Sequence, residues 1–219
     1  MITLEQVRAD EEVGVLIDYA NQYLRALGYT EHSTRHATRV AETARNILLE
    51  AGHPERVAEL AAIAGYLHDI GNLIHREGHA QSGSLIALRV LTRLGMPPDE
   101  RAVIANAIGN HEEERGYATS PVSAALNIAD KADVHRSRVQ AESFQDFDIH
   151  DRVNYATTQS QVVVDAPNQI INLELTIDTS FAQVIEYFEI FLDRMVMVKQ
   201  AAEFLGLHFH LIINGTTFS

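Results

Sequence analysis

The residues of this chain best suited to chemistry are the doublet His68-Asp69, within Gly65-Tyr66-Leu67-His68-Asp69-Ile70-Gly71, and four more imidazoles and carboxylates spread around it: His36, His79, His111 and Asp130. Each lies beside or inside an apolar helical pattern, where an ionisable side chain needs a partner. Imidazole nitrogens and carboxylate oxygens that converge on one point are metal ligands. An adjacent His-Asp pair suits a dinuclear centre, because the imidazole can bind one cation while the two carboxylate oxygens bridge both. With no Cys in the chain, His and carboxylate are the strong ligands available, and the set suits divalent Fe, Mn, Co, Ni, Zn or Mg. Singly, each residue has a plainer reading: His36 or His79 as a half-buried histidine, Asp130 as a cap or ion-pair partner, His111 with Glu112, Glu113 and Glu114 as a solvated helix end. The order of one His, then His-Asp, then two separate His, then an Asp after the apolar run Leu126-Asn127-Ile128-Ala129 favours a shared centre.

Helices must carry these residues. Apolar positions recur at helical spacing through most of the first 140 residues, and the stop signals predict helices at about 4–27, 33–51, 54–70, 79–94, 98–112 and 121–139. Gly28, Gly52 and Gly95 end three of them, Pro54 opens the third, and Ser120-Pro121 caps the sixth. After Gln140 the pattern changes. Residues 141–152 read as a polar and aromatic link, then Val162-Val163-Val164 and Ile170 to Ile177 as two strands joined around Pro167-Asn168. Ser180 with Gln183 offers a capping box for a long apolar helix over about 181–205, and His208 to Ile213 reads as a third strand. The expected fold is mainly α: a helical bundle over 1–140 and a small α+β unit of three strands and one long helix over 141–219. That helix is more apolar than one buried face requires, so it should bury two faces and supply a homodimer contact. His208 and His210 share one strand face without a carboxylate nearby and read as plain strand residues.

Composition sets limits on function. The chain has 219 residues, 46% of them hydrophobic, as a globular protein does, and a formal charge of -13. That charge argues against binding along a nucleic-acid backbone, where affinity comes from Lys and Arg. An anionic substrate would need a local positive centre, which bound cations can supply. Met1 to Glu12 lacks the apolar core of a signal peptide and no apolar run is long enough to span a bilayer, so the expectation is a cytoplasmic protein without a membrane partner.

The ligand pattern resembles the HD superfamily of metal-dependent phosphohydrolases and, in local detail, its HD-GYP branch. His68-Asp69-Ile70-Gly71 matches the name-giving motif with its following Ile-Gly, and His36 stands where the family's first histidine lies. His79-Ala80-Gln81-Ser82-Gly83 is similar to the branch's His followed four residues later by Gly, Asn110-His111-Glu112 to its His-His-Glu, and Ile128-Ala129-Asp130 to its closing apolar-Ala-Asp. The resemblance covers about residues 30–140. It implies an HD-domain bundle with His36, His68, Asp69 and Asp130 on a first metal, and Asp69 bridging to a second metal held by His79 and His111. It further implies hydrolysis of a phosphate ester of a nucleotide or small phosphorylated metabolite, with His68 and Asp69 at the catalytic centre and a water activated between the two cations. Arg138 and Arg136 resemble the region of the branch's phosphate-binding basic residues; Lys131 is expected to point elsewhere on its helix. Asn72 and Asn110 stand in place of the branch's lysine and first paired histidine, and complete the expected substrate-binding set. The Gly-Tyr-Pro signature is reduced to Gly116-Tyr117-Ala118, and the link from Asp69 to His79 is shorter than in the branch. A cyclic-dinucleotide phosphodiesterase and a non-catalytic signalling or binding module that retains the fold are therefore the alternatives. His32, one turn before His36, falls where some members place an extra metal-binding carboxylate.

Overall fold

A computed structural model describes residues 1–113, 116–141 and 143–219; Glu114 of the expected solvated helix end and Glu142 of the expected link lie outside the described residues. The first predicted helix is two, α1 (Leu4–Arg8) and α2 (Glu11–Ala26). Asp10 divides them, because its carboxylate accepts from the Val13 amide at 3.1 Å and starts a new helix. Next come α3 (Thr34–Glu50) and α4 (Glu55–Leu67), whose backbones touch: a Cβ on Gly65 would sit 2.9 Å from Ala41 Cα. This close crossing sets His36 beside His68.

Helix α4 stops at Leu67 rather than 70, with His68 as its C-cap, and the chain tightens into a 3-10 turn over Ile70–Leu73. Three helices follow, α5 (His79–Arg93), α6 (Pro98–Gly109) and α7 (Pro121–Lys131). The predicted ends at 112 and 139 are both too late. His111 lies in the loop after α6, and Arg136–Arg138 form a separate 3-10 turn in which His135 Nδ1 accepts from the Ser137 amide at 3.1 Å. Helix α7 is buried from Val122 to Lys131 and packs against α3, α4 and α6.

Beyond the bundle, α8 (Ile149–Ala156) begins in the last third of what reads as a link and runs past its end; Asp148 caps it by accepting from the Asp151 amide at 2.8 Å. Strands β1 (Thr157–Asp165) and β2 (Ile170–Ile177) pair antiparallel, α9 (Val184–Phe204) crosses over, and β3 (His208–Ile213) returns parallel to β2. The sheet has four strands, not three, in the order β1-β2-β3-β4. Asn214-Gly215, both at positive φ, turn the chain into β4 (Thr216–Phe218), the two-residue hairpin that Asn-Gly favours. Helix α9 begins later than 181 because the Ser180 hydroxyl donates to Asp178 Oδ1; Gln183 caps it instead, its amide donating to Glu186 Oε2 at 2.8 Å.

Helix α9 packs against α7 on one side and β3 on another, and the buried apolar residues of bundle and sheet form one cluster. Ile185, Leu192 and Val196 leave an apolar stripe on α9 exposed. Among the described residues no helix is long and apolar enough to cross a membrane.

Candidate metal centre

Helix ends and loops bring the six expected ligand residues to one place. His36 reaches in from the first turn of α3, His68 from the end of α4, Asp69 from the turn after it, His79 from the start of α5, His111 from beyond α6, and Asp130 from the last turn of α7. His68 Nε2 lies 3.1 Å from Asp69 Oδ2 and 3.5 Å from Asp130 Oδ1. His36 Nε2 is 3.3 Å from His68 Nε2 and 3.4 Å from each of those two oxygens. On the other side, His79 Nε2 lies 3.1 Å from His111 Nε2 and 3.6 Å from Asp69 Oδ1. Asp69 thus stands between two groups, one oxygen toward each. Donor atoms of His36, His68 and Asp130 fall within 4.8 Å of one another, as do those of His68, Asp69 and His111.

The hydrogen bonds behind the rings decide which nitrogen faces inward. His68, His79 and His111 each donate Nδ1–H to the carbonyl three residues earlier, those of Gly65, Arg76 and Ile108, at 2.8, 2.9 and 2.6 Å. His36 Nδ1 donates to Asp133 Oδ2 at 2.6 Å. All four therefore present the Nε2 lone pair to the centre, the arrangement that fixes tautomer and raises basicity in metal-binding histidines. Two pairs of such lone pairs at 3.3 and 3.1 Å, beside an Asp69 Oδ2 that is buried without a hydrogen bond, place electron-rich atoms against one another. A cation between them removes the repulsion, so these residues fit divalent metal ions. Without one, a proton takes the same place. Burial disfavours an imidazolium at His68, but Asp69 and Asp130 outweigh burial and push it up to about 10, whereas burial and the neighbouring His68 and His79 push His111 down to about 3.

Several neighbours were not read from the sequence in these roles. Lys131 turns back to the site: its Nζ is 2.6 Å from Asp130 Oδ2 and 3.0 Å from Glu113 Oε1, and Arg194 Nε approaches the same Glu113 oxygen at 3.0 Å. Burial works against ionisation of Asp130, yet Lys131 and His68 hold it well below the usual carboxylate range. Asn72 steadies Asp69, donating to its Oδ1 at 2.9 Å and its carbonyl at 3.0 Å, and receives Arg76 Nη1 at 3.3 Å. His32 Nε2 lies 4.0 Å from Asp69 Oδ2. Gly71 lets α5 approach, since a Cβ there would run into the His79 carbonyl and the Gly83 amide.

The expected phosphate-binding arginines are placed differently. Arg138 is buried, and its guanidinium donates to the Glu31 carbonyl at 3.1 and 2.9 Å and to the Asp133 carbonyl at 3.0 Å. Arg136 is exposed, with its guanidinium 5.3 Å from the Tyr155 ring centre. Asn110 donates to the Asn106 carbonyl at 2.9 Å. Asp133, three residues after Asp130 on a buried segment, could have been suspected from that burial pattern.

Comparison with known proteins agrees with this geometry. The family model described as HD domain matches residues 34–136, a stretch containing all six residues of the centre. The chain is also similar to the Ribonuclease Y of Streptococcus sanguinis (strain SK36), with 30% identity over 122 residues, 54% of this chain and 20% of that protein. It thus spans about a fifth of the length of that relative.

Proposed function

Because the family model described as HD domain matches residues 34–136, we propose that the chain is a metal-dependent phosphohydrolase cleaving a phosphate ester of a nucleotide or small phosphorylated metabolite. The observation that carries this reading is the inward convergence of four Nε2 atoms on Asp69, whose Oδ2 is buried without a hydrogen bond. His36, His68 and Asp130 would hold one cation and His79 and His111 a second, with Asp69 shared. Divalent ions there supply a water of lowered pKa and neutralise charge on the phosphoryl oxygens. The chain's own residues do the positioning: Asn72 fixes the Asp69 carboxylate, Lys131 keeps Asp130 ionised, and the Nδ1 hydrogen bonds hold each imidazole in the tautomer that offers Nε2. The charge of -13 favours a small phosphorylated substrate over the ribonucleic acid that the relative's name implies for that protein.

Full-length protein loaded with Mn or Ni is expected to release phosphate from p-nitrophenyl phosphate, and His68→Ala is expected to abolish this. A wild-type chain that holds metal by elemental analysis yet turns over no ester would leave the non-catalytic binding module as the better reading.

We further propose that residues 1–140 form the phosphohydrolase domain and that the exposed stripe of Ile185, Leu192 and Val196 on α9 is the contact of a homodimer. Sedimentation at micromolar concentration should give twice the single-chain mass, falling to one chain in Leu192→Glu. A wild-type mass of one chain removes the idea.

A further inference from the structure

Beside the imidazole cluster lies a cavity of about 350 Å³ whose wall comes from two distant parts of the sequence. Tyr29, His32, Arg76 and Arg138 line one part; Asp151 of α8 and Phe191 and Arg194 of α9 line another, well beyond residues 34–136. Two of these residues join the cavity to the centre: His32 Nε2 is 4.0 Å from Asp69 Oδ2, and Arg76 Nη1 is 3.4 Å from His79 Nε2.

The lining is unusual for so acidic a chain, with three arginines against the two aspartates Asp148 and Asp151. Arg138 is committed to backbone carbonyls, as described. Arg76 meets neutral partners, namely Asn72 Oδ1, His79 Nε2 and the Tyr29 ring, and forms no ion pair among the described residues. Arg194 lies over the Phe191 ring at 4.5 Å, and its Nε meets Glu113 Oε1 at 3.0 Å, an oxygen it shares with Lys131 Nζ. Arg76, half-buried without an ion pair among the described residues, and Arg194, which shares one carboxylate with Lys131, are both stabilised by a further anion, and the planar fork of a guanidinium matches two phosphate oxygens at once.

We infer that Arg76 and Arg194 clamp the phosphate group of a compact phosphate monoester, so that the polypeptide after residue 140 forms part of the substrate site. This deepens the phosphohydrolase reading and rests on it. The volume lies near the lower end of the ~300–1,000 Å³ range of small-molecule pockets, which suits a monoester rather than a polymer. Asp148 and Asp151 favour hydroxyl or ammonium groups on its organic part over a further anion.

The test uses the full chain loaded with Mn, with inorganic phosphate as the probe in titration calorimetry. Arg76→Gln and Arg194→Gln should each weaken phosphate binding by about tenfold or more, the scale of a lost charge-assisted hydrogen bond. They should raise KM for p-nitrophenyl phosphate while manganese per chain stays at the wild-type level. Arg194→Lys should recover part of the loss, which separates loss of the clamp from damage to α9. Lys199→Gln removes the same charge from an exposed position on that helix and should leave affinity within about twofold. Unchanged phosphate affinity in both glutamine variants overturns the clamp, as does an equal loss in Lys199→Gln. If wild type binds phosphate through both arginines but hydrolyses no ester, the clamp stands and the phosphohydrolase reading falls; if ester turns over and both variants keep the wild-type KM and phosphate affinity, the clamp alone falls.

Discussion

Asp69→Asn is expected to lower kcat/KM for phosphate-ester hydrolysis by roughly 10³-fold or more, equivalent to about 4 kcal/mol of transition-state stabilisation, while leaving the protein folded. Asp69 faces both halves of the cluster, with Oδ2 toward His36 and His68 and Oδ1 toward His79. Asparagine keeps its volume, so packing around the turn at Ile70 is retained. Its carbonyl oxygen can still accept from Asn72 Nδ2, as Asp69 Oδ1 does at 2.9 Å. The amide NH₂ then points at the lone pairs of His36 and His68, meeting with hydrogen bonds the repulsion that a cation would otherwise relieve. The variant should therefore melt near the temperature of metal-free wild type but bind less than the wild-type complement of metal. Elemental analysis beside a thermal melt checks both halves of this expectation. Full metal content with activity within about tenfold of wild type would mean that Asp69 does not bridge.

The ligands were legible because each is an ionisable residue set into an apolar helical pattern, and such a residue announces a partner even when the partner is unknown. The ends of the helices were less legible. Periodicity continues from Ile128 to Val139, yet α7 ends at Lys131 because the following residues find tertiary partners: the Ala132 carbonyl accepts from Ser160, and the Arg138 carbonyl accepts from the Glu31 amide at 2.7 Å. Extending that helix put Arg138 on a face two turns from Asp130, whereas the real chain turns it toward the Glu31 and Asp133 carbonyls. Lys131 was misplaced for a related reason: helical direction says where a side chain starts, but a four-carbon stem can bend back to a neighbouring carboxylate. The fourth strand was written in Asn214-Gly215 and went unread. The walls of the cavity were beyond reach, because nothing local in Arg194 indicates that α9 packs beside Arg76 and His32.

Asp133→Asn tests how much of the centre depends on support from behind. Asp133 is almost completely buried, and its Oδ2 accepts from His36 Nδ1 at 2.6 Å and from Arg35 Nη2 at 2.9 Å. Arg39 Nε lies 3.0 Å from Oδ1, and Arg138 Nε lies 3.9 Å from Oδ2. Burial alone would raise the pKa of this carboxyl, but the His36 hydrogen bond and charge, with Arg138 and Arg35, hold it far below the usual range. An amide in its place has one acceptor oxygen for these donors and turns an NH₂ group toward one of them. It also leaves Arg138 buried without its nearest carboxylate. Breaking a buried charge network from one side costs about 3–5 kcal/mol; at about 2–4 °C per kcal/mol for a chain of this size, the melting temperature should fall by roughly 6–20 °C. Because His36 loses the partner that orients it and raises its basicity, Mn affinity should also fall, by about 10–100-fold, in a titration well below the melting temperature. The two readouts answer separate questions. A lower melting temperature with unchanged Mn affinity would make Asp133 a scaffold residue only, and would show that α3 holds His36 in place without it.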